Sequence, residues 1–93
     1  MHILMVEDDR DLGRAAAYTL ARAGHAVDTV PCGCVALEAP FAAPYDCILL
    51  DLGLPGLAGS LLLWLWRRRH LAVPVIIVSE RDVTHMCRAL GCS

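Results

Sequence analysis

Short apolar runs recur along the chain, each closed by charged or turn-forming residues. Ile3-Leu4-Met5-Val6 stops at Glu7-Asp8-Asp9, and Cys47-Ile48-Leu49-Leu50 stops at Asp51. Both lack polar alternation, which is the pattern of strands buried on two faces, as in a parallel sheet. Ala26-Val27-Asp28-Thr29-Val30 alternates in part, so it is expected at a sheet edge. Val73 to Val78 is a fourth strand, with Pro74 tolerated near its start. Between the strands the period changes. Leu12, Ala16 and Leu20 recur every four residues, which predicts a helix from Arg10 to Ala23 with Asp9 as its N-cap and Gly24 just past its end. Gly13 within that helix costs about 1 kcal/mol relative to alanine. Val35 to Phe41 is expected to form a second helix, stopped early by Pro40. Ser60 to Arg69 forms a third and Thr84 to Leu90 a short last one. On that third helix Trp66 takes the inward phase, leaving Leu61, Trp64 and Leu65 outward.

The alternation of strand and helix predicts a single α/β domain over residues 1–93, a parallel sheet with helices on both faces. The edge character of the second strand and the crossover rule favour the order 2-1-3-4. In such sheets ligands bind beyond the C-terminal ends of the strands. Two strands end in acid there. As neighbours they bring Glu7, Asp8 and Asp51 to one rim, where like charges would hold one carboxyl protonated. A hard divalent cation resolves that conflict, and Mg²⁺ takes carboxylates, waters and phosphate oxygens. Ser79 ends the fourth strand with a hydroxyl suited to a phosphoryl oxygen. Together these residues describe phosphoryl transfer to an aspartate nucleophile.

Composition narrows the alternatives. The 93 residues are 57% hydrophobic and carry a net charge of −2, which favours a packed core and gives no case for nucleic acid or anionic membrane as a partner. All eight basic residues are arginine. Arg67-Arg68-Arg69-His70 is expected to be a solvated helix end that complements the helix dipole. The five cysteines are irregularly spaced and expected to be reduced thiols. The apolar start is too short for a signal peptide, and Leu52 to Trp66 is too short to span a bilayer, so a cytoplasmic location is expected.

The chain resembles the receiver domain of two-component response regulators, closest to the class that continues into a winged-helix DNA-binding domain. The resemblance rests on Ile3-Leu4-Met5-Val6-Glu7-Asp8-Asp9, on Tyr45 to Gly56 with its Asp51-Leu52-Gly53-Leu54-Pro55 turn, and on Val73-Pro74-Val75-Ile76-Ile77-Val78-Ser79. It implies a flavodoxin-like sheet and a phosphoacceptor domain rather than an enzyme. Asp51 would take a phosphoryl group from a sensor histidine kinase. Asp8, Asp51 and the Gly53 carbonyl would hold Mg²⁺, Glu7 would act through a water, and Ser79 would bond the phosphoryl group. Against the family pattern, the chain has no lysine and stops before the fifth strand and helix, so a C-terminally truncated receiver is expected. Glu80 follows the hydroxyl where a small residue is usual, and Ala58 replaces an acid. The fourth strand would then present an edge open to self-association. A receiver remnant serving only as an interaction module is the rival reading. An aspartate-nucleophile phosphatase would want an acid at position 53, where glycine stands.

Overall fold

A computed structural model describes residues 1–51 and 58–78. Its elements are β1 (His2–Val6), α1 (Arg10–Arg22), β2 (Ala26–Val30), α2 (Gly33–Ala36), α3 (Ala39–Ala42), β3 (Cys47–Asp51), α4 (Gly59–Arg68) and β4 (Val75–Val78). The strands form one parallel sheet in the order β2-β1-β3-β4, as expected from the pattern. The anticipated helix over 84–90 and the turn over 53–56 lie outside the described residues.

The period of two along β1 and β3 divides the core into two layers. Leu4, Val6, Ile48 and Leu50 face Ala36, Leu62, Trp66 and Leu71 on one side. Ile3, Met5, Cys47 and Leu49 face Leu20 on the other, with Ala16 and Ile76 packed against them. Every residue from Ile3 to Val6 and from Cys47 to Leu50 is buried, which is why neither run could alternate. Each of the two strands has a parallel neighbour on both sides and a helix layer on both faces. Trp66 fills the centre of the first layer, and its indole N–H donates to the Leu37 carbonyl at 3.1 Å. Leu61 and Trp64 point outward as anticipated.

Asp9 caps α1, its carboxylate accepting from the Asp11 and Leu12 amides at 3.0 and 3.1 Å. The helix ends at Gly24 with φ +96°, and the His25 amide donates back to Leu20. This is a Schellman end, with glycine in the left-handed position it favours. The same motif closes α4 without a glycine. His70 takes φ 63° while its amide donates to Arg67 and that of Leu71 to Trp66. Leu71 and Trp66 belong to the same buried layer, supplying the apolar contact that accompanies this motif.

Three expectations need correction. The second helix is two short ones, and Pro40 lies in the first turn of α3 rather than stopping a longer helix. A proline in a first helical turn loses no bond, whereas a continuous helix would drive its ring against the carbonyl of Ala36, where α2 ends. The fourth strand begins at Val75, because Pro74 offers no N–H and the Val73 carbonyl accepts instead from the Arg67 guanidinium at 3.1 Å. The arginine run is accordingly more than a solvated end. Arg67 also donates to the Leu71 carbonyl, tying the α4–β4 loop, while Arg69 pairs with Glu38 at 2.8 Å and lies over the Phe41 ring.

Candidate functional site: an acidic rim at the ends of β1 and β3

Parallel pairing of β1 with β3 sets Val6 opposite Leu50, so the next residues, Glu7 and Asp51, emerge side by side at the C-terminal rim. Asp8 follows on the exposed loop. One carboxylate oxygen from each of Glu7, Asp8 and Asp51 lies within 4.8 Å of the other two. Adjacency in the sheet alone accounts for this gathering of residues more than forty positions apart.

Glu7 is fixed on several sides. Its amide donates to the Val30 carbonyl at the end of β2 at 3.1 Å. Its Oε1 accepts from the Asp9 amide, also at 3.1 Å. Its aliphatic stem runs over Gly13 on α1, where an added Cβ would stand 3.8 Å from Cγ. Gly13 is therefore a buried neighbour of the site carboxylate, a role its sequence context did not signal. Burial, then the Asp51 charge, together with hydrogen bonds to Asp8 and Asp51, pushes the Glu7 carboxyl up to about 7, with the Asp9 amide opposing them. Of the three crowded acids, Glu7 is the one whose carboxyl is raised in the direction the sequence argument expects. A cleft of about 240 Å³, lined by Glu7, Arg10, Arg14 and Thr29 among others, opens beside it and gives water a route to that carboxyl.

The donor set suits a hard cation. Carboxylate oxygens are the ligands Mg²⁺ prefers, and trans oxygens on an octahedral Mg²⁺ stand about 4 Å apart. One oxygen from each of the three acids lies within 4.8 Å of the others, so these residues could hold such a cation. Of the remaining anticipated site residues, Gly53 and Ser79 lie outside the described residues, as does Glu80. Ala58 is described: it precedes α4 and supplies no side-chain cap. Cys32, Cys34 and Cys47 are free thiols. Among the described residues, no helix is long and apolar enough to cross a membrane.

A doubly wound parallel sheet holds its ligand site beyond the carboxyl ends of its strands, and this acidic trio stands there. The chain belongs to the response regulator receiver domain family, whose pattern matches residues 3–92. Among its relatives, the transcriptional regulatory protein QseB of Haemophilus influenzae is 43% identical over 82 residues, 88% of this chain and 37% of that protein. The chain thus spans a little over a third of such relatives' length. Among solved structures, the Francisella response regulator 1452 receiver domain matches with a TM-score of 0.82 at 26% identity, over 98% of this chain and 76% of its own. A chain of the complex between histidine kinase ThkA and response regulator TrrA matches with a TM-score of 0.79 at 26% identity, over 85% and 68%. The flavodoxin-like architecture expected from the sequence is therefore that of the family.

Proposed function

We propose that this chain is the phosphoacceptor domain of a two-component response regulator, phosphorylated on Asp51 by a sensor histidine kinase. The observation that carries the reading is the convergence of Glu7, Asp8 and Asp51 on one rim. In the step itself an Asp51 oxygen attacks phosphorus, the P–N bond of a phosphohistidine breaks, and the imidazole leaves with a proton. Asp8, Asp51 and the Gly53 carbonyl would hold Mg²⁺, with Glu7 acting through a water, and the Ser79 hydroxyl would bond a phosphoryl oxygen. The bound cation supplies charge neutralisation as the dianion approaches the acids. The domain is an acceptor rather than an enzyme. Regulation of transcription, by analogy with the relatives' names, belongs to the protein in which it acts.

Intact mass after incubation with Mg²⁺ and acetyl phosphate tests this directly. One added phosphoryl group is expected, weakly populated and short-lived, absent in Asp51→Ala and absent with a chelator. Modification that survives in Asp51→Ala would overturn the site assignment, and none in either protein would favour the interaction-module reading.

The apolar run of β4 supports self-association as part of the same reading. Among the described residues only β3 pairs with it, and Ile77 is exposed. Light scattering over a concentration series is expected to show a dimer that Ile77→Lys weakens, since a charge on an edge strand discourages pairing. A monomer at all concentrations would remove that surface.

A further inference from the structure

At the opposite end of the sheet from the acids, the described residues hold a polar cluster with no part in the chemistry above. His2 opens β1, and both of its ring nitrogens face acceptors. Nε2 lies 2.8 Å from an Asp28 carboxylate oxygen on β2, and Nδ1 lies 3.1 Å from the Pro44 carbonyl in the loop that enters β3. A neutral imidazole carries one N–H and can satisfy only one of these; the imidazolium, with two, satisfies both. Tyr45 closes the arrangement. Its hydroxyl donates to the same Asp28 oxygen at 2.7 Å, and its ring centroid lies 4.3 Å from that of His2. The His2 amide donates to the Asp46 carboxylate at 2.7 Å, and the Asp46 amide returns a bond to the His2 carbonyl at 2.8 Å.

We propose that His2 is a proton-operated clamp, in which the doubly protonated ring ties β2 to the loop entering β3 across the amino end of β1. Asp28 and Asp46 both favour the charged ring. The adjoining contact makes the opposite demand. The Met1 ammonium lies 3.0 Å from His25 Nδ1, and since it can only donate, that nitrogen must offer a lone pair. Acidification therefore tightens the His2 tie. Asp28, hydrogen-bonded first by Tyr45 and then by His2, is held below the usual carboxylate range, so it remains charged through the interval in which His2 titrates. The His2 ring is correspondingly raised above 6.5, the bond to Asp28 being the largest cause.

The sign follows from linkage. A histidine whose folded value is raised contributes stability that is complete below its unfolded value and lost as pH rises through the folded one. The clamp is thus fully engaged below 6.5 and releases as pH rises through the raised folded value. It lies at the rim opposite the phosphoacceptor and so acts on the integrity of the β2–β1–β3 edge rather than on the acids.

Histidine-selective NMR on the whole chain tests the proposal. His2 is expected to titrate above 6.5, with both ring nitrogens protonated at pH 6, and Asp28→Asn is expected to lower that midpoint. In urea denaturation the wild type should exceed His2→Gln in midpoint at pH 5.5, and the difference should close by pH 8.5. Taking the difference removes titrations common to both proteins, including that of Glu7. A His2 midpoint at or below 6.5, or an Asp28→Asn variant that leaves it unmoved, would overturn the clamp. A wild-type advantage independent of pH would show ordinary packing instead.

Discussion

Replacing Asp51 by asparagine keeps the shape of the side chain and most of its hydrogen-bonding capacity while removing one of three crowded charges. Without a cation, that crowding acts against the fold. Glu7 rises from 4.5 to about 7. For an acid whose folded value is raised, no penalty exists below the unfolded value. The penalty grows as pH climbs from there and is complete above the folded value. Undiluted, such a rise corresponds to roughly 3 kcal/mol. Glu7 is only half-buried, and solvent screening reduces that to about 1.5 kcal/mol. Burial is its largest cause and survives the substitution, so Asp51→Asn should recover about 0.5 kcal/mol at pH 8 in chelator and nothing at pH 4. In urea the midpoint would rise by roughly 0.5 M for an m-value near 1 kcal/mol/M. Buried Trp66 provides the fluorescence signal. Mg²⁺ should reverse the order. At ten times its dissociation constant it stabilises the wild type by about 1.4 kcal/mol and the variant by far less. An Asp51→Asn protein less stable than wild type at pH 8 in chelator, or one that gains equally from Mg²⁺, would refute the electrostatic account of this rim.

Two further substitutions probe the frame that holds the site. Trp66→Phe shortens the central side chain of one core layer and leaves the Leu37 carbonyl without its 3.1 Å donor, so a loss of about 2 kcal/mol is expected in urea denaturation; a change under 0.5 kcal/mol would show that this layer is not close-packed. His70→Gly relieves a side chain held at φ 63° and should raise stability by about 1 kcal/mol, readable as an increase in thermal midpoint; a decrease would mean that the His70 side chain contributes more than its backbone strain removes.

The residues themselves determined a good deal about this protein. Non-alternating apolar runs ending in acid, alternating with helical segments and joined by an edge-like second strand, pointed to the α/β class, the strand order and the rim where Glu7, Asp8 and Asp51 would meet. Asp9 as a cap and Gly24 as a stop were legible because capping is local chemistry, decided by a few neighbouring residues. Other features depend on parts of the chain far apart in sequence. Which carboxyl is pushed up was decided by how deeply Glu7 is buried and how near Asp51 stands. The break between α2 and α3, the left-handed turn at His70 and the Arg67 bonds to the loop before β4 each trade a local preference against packing on the same core. At the foot of the sheet, His2, Asp28 and Tyr45 look unrelated along the chain. Parallel pairing places them within hydrogen-bonding distance, because register acts over the whole sheet while propensity acts over a single turn.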